Sequence, residues 1–191
     1  MSDLTWILIS ALLINNFTLS LFLGLCPFFG VTGKVETAVR LGAANIFVMV
    51  LTAVAVWFLN RFILAEAPFL RIISFVIVIA SLVQIVEMVI RKASPVLFRA
   101  LGIYLPLITT NCAIFGLGIF QTNRGYTLVQ GVVFAIGGGL GMILALALMA
   151  SIRERLDLAN VPSLARGFGI SLIIASCLSL AFMGFAGLGA G

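Results

Sequence analysis

The 191-residue chain is 63% hydrophobic and 9% charged, with a mean hydropathy of +1.30. Soluble domains carry roughly 25% charged residues, so this composition belongs to an integral membrane protein. The +5 net charge comes from basic residues in short connections, where membrane topology accounts for them without nucleic acid. Histidine is absent, which excludes imidazole metal ligation and histidine acid–base catalysis, and three cysteines without paired spacing do not form a disulfide framework.

Spans of roughly 20 apolar residues, the length a bilayer requires, fall at about 4–24, 37–60, 69–90, 99–120, 128–151 and 168–188. The expected fold is therefore all-α, six transmembrane helices in one membrane domain over 1–191. The N-terminus has neither a basic n-region nor a small-residue cleavage site, so Met1 onward is read as the first span.

Span 1 carries Asn15-Asn16 at its middle, followed by Thr18 and Ser20. Two readings stand side by side: a helix whose polar face packs on a neighbour, or a discontinuous helix. Span 3 holds the one acidic residue inside a predicted span, Glu87, four residues before Arg91. It either pairs with Arg91 at the cytoplasmic end or serves an ion or proton pathway.

Span 4 contains Leu105-Pro106-Leu107-Ile108-Thr109-Thr110-Asn111-Cys112-Ala113-Ile114-Phe115-Gly116. Lipid offers no hydrogen-bond partners, so these polar groups must face protein, a cavity or a cofactor. Pro106 with Gly116 and Gly118 points to a broken helix.

Gly137-Gly138-Gly139-x-Gly141 in span 5 follows no strand, so it reads as close helix packing rather than a nucleotide loop. Arg153-Glu154-Arg155 and Asp157 read as a solvated cytoplasmic loop, a docking point for a soluble partner. Cys177 in span 6 reads as plain packing.

Connections 1–2, 3–4 and 5–6 carry eight basic residues: Lys34, Arg40, Arg91, Lys92, Arg99, Arg153, Arg155 and Arg166. The other side carries three, Arg61, Arg71 and Arg124. The positive-inside rule then puts both termini outside the cytoplasm.

Six spans divide into two sets of three, about 1–92 and 93–191. An odd number per half gives an inverted-topology repeat. Cys26-Pro27-Phe28-Phe29-Gly30 and Cys112-Ala113-Ile114-Phe115-Gly116 share Cys-x-x-Phe-Gly, 86 residues apart, in the corresponding spans 1 and 4. If both spans are broken or re-entrant, the two thiols meet near mid-membrane from opposite sides. A straight span 1 would instead carry Cys26 to the cytoplasmic boundary, about 22 residues at roughly 1.5 Å each. A structural zinc site wants four ligands, and a [2Fe–2S] cluster takes four cysteines. Either metal reading therefore requires a partner chain with a matching pair. A secondary transporter built on inverted repeats and a structural membrane anchor are the competing classes.

The stretches Asn15-Asn16-Phe17, Phe22 to Phe28, Arg91 to Pro95, Leu101 to Ala113, Ile152 to Leu156 and Ser179 to Gly184 run nearly end to end. In them the chain resembles a membrane-protein family found in two complexes, as the A-type component of the Rnf electron-transport complex and the E-type component of the sodium-pumping NADH:quinone reductase. Asn15-Asn16-Phe17 and the Cys-Pro pair resemble the Rnf member more closely. The resemblance implies a six-helix inverted-repeat subunit of the bacterial inner membrane that pairs with a homologous sister, the E-type component of Rnf. The pair would hold one [2Fe–2S] cluster, with Cys26 and Cys112 as this chain's two ligands and no use for Cys177. Thr109, Thr110 and Asn111 would then be candidates to hydrogen-bond the sulfurs. The implied complex moves electrons between NADH and ferredoxin through flavin and iron–sulfur subunits, coupled to Na+ or H+ translocation. No Rossmann fingerprint is present, so NADH would bind elsewhere.

Overall fold

The computed structural model describes residues 2–62, 70–93, 107–108, 110–157 and 168–185. These residues are helical wherever they are regular. Helix α1 (Ser2–Ile9) runs straight into a π-helical turn (Ser10–Ile14), and α2 (Leu25–Gly30) follows after a non-helical stretch. Then come α3 (Val35–Phe62), α4 (Arg71–Ala93), α5 (Cys112–Asn123), α6 (Leu128–Asp157) and α7 (Phe168–Met183).

Length decides which of these cross a bilayer. At about 1.5 Å per residue, α3, α4 and α6 reach about 42, 34 and 45 Å, enough for a hydrocarbon core of about 30 Å. The α2 and α5 helices reach only about 9 and 18 Å. Among the described residues three helices are long and apolar enough to span, and Leu4–Ile14 and Gly169–Met183 are shorter apolar ones. The first part of the expected fourth span, 99–106, lies outside the described residues, as do Thr109 and the C-terminus at Gly191.

The α6 helix is the centre of the bundle, gripped between α1 and α3. Its glycines make that possible. A Cβ at Gly137 would stand 2.9 Å from the Leu8 carbonyl oxygen, one at Gly141 2.8 Å from that of Leu12, and one at Gly139 2.5 Å from Ile46 of α3. The Gly-rich run is thus a packing surface for two neighbouring helices, as its lack of a preceding strand suggests. Because Leu8 lies level with Gly137 and Leu12 with Gly141, α1 runs parallel to α6.

Hydrogen bonds tie each end of the bundle. At one end the Val35 N–H donates to Glu154 Oε1 at 3.1 Å, and Arg153 Nη1 donates to the Phe29 carbonyl at 3.1 Å and Thr32 Oγ1 at 2.9 Å. At the other, Asn60 Nδ2 donates to Thr122 Oγ1 at 2.7 Å and Arg71 donates to Asn123. Arg61, Arg71 and Arg124 therefore share the second end, while Lys34, Arg153 and Arg155 share the first.

One expectation changes here. Arg153, Glu154, Arg155 and Asp157 are the last turns of α6 and not a loop. Arg153 ties down the end of α2 through part-buried bonds and Glu154 caps the start of α3, while Glu154 and Arg155 stay exposed at this end. A helix of 30 residues outlasts the apolar stretch, and two of its final charged residues, Arg153 and Glu154, find partners on the chain itself.

Candidate functional site at two helix breaks

Span 1 is discontinuous, and Asn16 does the breaking. Its side chain is fully buried. Oδ1 accepts from the Thr18 and Leu19 N–H groups at 3.0 and 3.2 Å, while Nδ2 donates to the Leu12 carbonyl at 3.2 Å and the Gly141 carbonyl at 2.8 Å. An asparagine offers the backbone an alternative to the helical ladder. Here it satisfies groups on both sides of the break and fixes them to α6. Asn15 closes the π turn, its N–H donating to the Ser10 carbonyl at 2.7 Å. Both readings of this polar pair therefore hold: the helix stops, and its polar side chains pack on a neighbour.

From there the chain turns through Phe17 to Leu23 inside the bundle. Phe17 is fully buried against Phe120 and Phe134, and Ser179 of α7 donates to the Leu19 carbonyl at 2.9 Å. Phe22 at φ +55° and Gly24 at φ +80° then redirect it into α2. Gly24 is required twice over. Its backbone is left-handed, and a Cβ there would sit 3.2 Å from Asn111 Oδ1 and 3.3 Å from the Ala113 Cβ.

The second break is simpler. Asn111, 4% exposed, is the N-cap of α5, accepting the Ala113 N–H on Oδ1 at 3.0 Å. Its Nδ2 faces Asn45 Oδ1 at 3.3 Å and Met142 Sδ at 3.9 Å. The amide is thus committed to the cap and the core.

The two breaks touch. The Gly24 N–H donates to Cys112 Sγ at 2.9 Å. Gly116 approaches Leu23, and Gly30 approaches Leu107, so residues 23–30 run antiparallel to the described residues 107–108 and 110–116. Their depth follows from the long helices. Met142, which meets both Gly24 and Asn111, lies halfway along α6, and Asn45 lies within a turn of the middle of α3. The contact is therefore near mid-membrane, with α2 leading to one end and α5 to the other. Cys26 stands two residues past Gly24, in the first turn of α2, and not at the membrane boundary.

Cys26 and Cys112 are both exposed on the chain's surface. Two thiols at mid-depth, reachable from outside and with an N–H aimed at one sulfur, suit half of a four-thiolate cluster site, since N–H···S bonds help set a cluster's potential. Among the described residues no group of three or more cysteine or acidic side chains gathers to hold a metal. A four-thiolate site would need two thiolates beyond these. Cys177 is also exposed, but on α7. Thr110 is exposed beside Asn111, Thr109 is outside the described residues, and Glu87 is half-buried on α4. Gly24, Asn45 and Met142 escaped the sequence reading. Gly24 sits in the Leu23-Gly24-Leu25 run directly before Cys26, a signal that was there to use, whereas nothing local marks Asn45 or Met142.

The family described as Rnf-Nqr subunit, membrane protein, matches residues 4–189. Proteins named as the A-type component of an ion-translocating oxidoreductase complex are similar to this chain over 190 residues, 98% of each chain. The one from Syntrophotalea carbinolica is 55% identical, that from Serratia proteamaculans 49% and that from Proteus mirabilis 48%.

Proposed function

This chain belongs to the Rnf-Nqr family of membrane subunits, and from that membership we propose that it is the A-type membrane component of an Rnf ion-translocating oxidoreductase complex, passing electrons through the bilayer. Its relatives carry the name of such a complex over their full length. The residues proposed to act are Cys26 and Cys112, each a ligand to one [2Fe–2S] cluster completed by two cysteines of a homologous sister protein. When bound, such a cluster supplies a one-electron carrier at mid-membrane.

The observation that carries this reading is the Gly24 N–H to Cys112 Sγ contact. It joins the two Cys-x-x-Phe-Gly segments at the depth where a carrier would halve the distance across about 30 Å of hydrocarbon. The chain's own residues then have separate tasks. Gly24 donates to a ligating sulfur, Asn16 and Asn111 hold the two breaks open, and α3 and α6 supply a rigid frame. The exposed thiols leave room for the sister protein to complete the site. Flavin- and iron–sulfur-carrying subunits would deliver and remove electrons, with Na+ or H+ moved in step. In the bacterial inner membrane, the end bearing Lys34, Arg153 and Arg155 would face the cytoplasm and both termini the periplasm.

The test is iron content and visible absorption of this chain co-purified with its homologous sister. About two irons per pair are expected, with [2Fe–2S] absorption bands, and none in either protein by itself. An assembled pair that is colourless and free of iron would end this reading in favour of a structural anchor.

A further inference from the structure

At the end of the bundle away from Arg153, the last two turns of α3 and the α5–α6 turn form an open cleft of about 240 Å³ whose lining includes Trp57, Asn60, Arg61, Gln121, Thr122 and Tyr126. We propose that this cleft binds the headgroup of a membrane phospholipid whose phosphate is followed by a hydrogen-bond-donating end, such as ethanolamine or glycerol.

Four observations lead there. The first is charge. The predicted outer side of the membrane carries only Arg61, Arg71 and Arg124, and all three gather at this end. Arg61 lines the cleft, and Arg124 donates to Tyr126 Oη at 2.9 Å and lies over its ring, while Arg71 donates to Asn123. Basic residues are depleted on that side of a membrane protein, so their clustering marks a place that attracts an anion. A phosphodiester is the anion always present there.

The second is an unmet acceptor. Gln121 is 2% exposed, and its Nε2 donates to the Ala53 carbonyl at 2.9 Å. Its Oε1 has no partner among the described residues. A buried acceptor left unpaired is destabilising, and a phosphodiester, having no donor of its own at neutral pH, does not relieve it. An ammonium or hydroxyl at the end of a headgroup does. A choline, with no N–H, does not.

Size is the third. At about 30 Å³ per water, the cleft holds roughly eight water volumes, room for a phosphate and a short polar chain. It falls below the roughly 300–1,000 Å³ of pockets for larger organic ligands, which argues against a whole flavin or a dinucleotide.

The fourth is the flank. One helical step round from Trp57 and Arg61, Phe58 and Phe62 are 49% and 74% exposed and stacked at 6.4 Å. They offer an apolar track for an acyl chain beside the polar cleft, with Trp57 and Tyr126 at the interface depth where such aromatics are enriched.

The proposal stands apart from the cluster assignment, because neither cysteine lines the cleft. It is tested by delipidating the purified complex and titrating phosphatidylethanolamine, phosphatidylglycerol and phosphatidylcholine, with occupancy read by native mass spectrometry. The first two should bind about tenfold tighter than the third. Arg61→Ala should weaken all three about tenfold, and Arg61→Lys should recover most of that. Gln121→Leu should bring the three lipids to within about twofold of one another. Equal affinities in the wild type, or Arg61→Ala binding as the wild type does, would overturn the assignment. Displacement by inorganic phosphate without regard to headgroup would overturn it too, in favour of a free-anion site. If Arg61→Ala fails to assemble, Gln121→Leu and Arg61→Lys decide the matter alone.

Discussion

The two Cys-x-x-Phe-Gly segments reach the same depth by different backbone routes. The first is entered through ten non-helical residues, Asn15 to Gly24, with a buried asparagine bonded on both sides of the break and positive φ at Phe22 and Gly24. The second is entered through an ordinary N-cap, Asn111 at φ −73° and ψ 111°. Only one side is served by the other: Gly24 gives its N–H to Cys112 Sγ, and among the described residues no donor reaches Cys26 Sγ. A repeated motif therefore does not imply repeated construction. The costly, strained break lies in the first half, and the second half receives the bond that the strain positions. A non-glycine at positive φ costs of the order of 1–3 kcal/mol, which the packing of Phe17 and the four bonds of Asn16 offset.

The largest effect tests whether both segments do the same chemistry despite this difference. Cys26→Ser and Cys112→Ser should each remove the [2Fe–2S] resonance and lower electron transfer to below about one-tenth of wild type, since three thiolates do not hold such a cluster well. Cys177→Ser should keep both. Loss of the signal on removing the sister protein would agree with the shared site. A cluster that survives in this chain alone, or that only Cys177→Ser destroys, would leave the two segments as mere packing repeats.

Next in size is the pair of asparagines. Asn16→Ala strands the Thr18 and Leu19 N–H groups inside the bundle and unties the break from α6, at about 3 kcal/mol. Asn111→Ala removes one cap bond and the link to Asn45, at about 1 kcal/mol. Thermal unfolding of the detergent-solubilised complex should therefore drop clearly further for the first. Equal drops would mean that the two breaks are built alike after all.

Gly24 sharpens the contrast from the backbone side. Gly24→Ala should destabilise by about 2 kcal/mol, from φ +80° and the 3.2 Å approach to Asn111. It should also shift the cluster's resonance, because the N–H that reaches Cys112 moves with the backbone. Gly30→Ala, at the other end of α2, meets only Leu107 at 3.5 Å and should leave stability and spectrum as they are. An unchanged spectrum in Gly24→Ala would detach that N–H from the site.

Much of this was legible in the residues. Apolar run length gave the membrane class and the long helices, since hydropathy at the scale of a bilayer is a strong signal. The polar run Thr109 to Cys112 and the pair Asn15-Asn16 pointed to the breaks because lipid penalises unpaired polar groups. What stayed hidden depended on contacts between distant residues. Asn45 looks like any isolated polar residue in an apolar helix until Asn111 and Met142 meet it. Arg153 and Glu154 look like free charges until Phe29, Thr32 and Val35 are seen to share their hydrogen bonds. The direction of Asn111 was also unreadable: a cap and a sulfur ligand both need a polar residue beside Cys112, and only packing decides which way the amide turns.

The smallest effect is expected away from both breaks. Glu87 is half-buried on α4, one turn before Arg91 and Lys92 in the helix's last turn. The first residue of that helix, Arg71, is bonded to Asn123 at the far end of the bundle, so Glu87 lies about 24 Å further along the axis, near the charged end. A carboxylate there reaches the interface and the nearby cations cheaply, unlike the polar groups held at mid-depth by Asn16 and Asn111. Glu87→Gln should therefore leave the cluster signal intact and keep electron transfer and ion uptake in membrane vesicles within about twofold of wild type. Ion uptake that collapses while the cluster signal persists would make Glu87 part of the ion path and carry the functional site out of the junction between the two breaks.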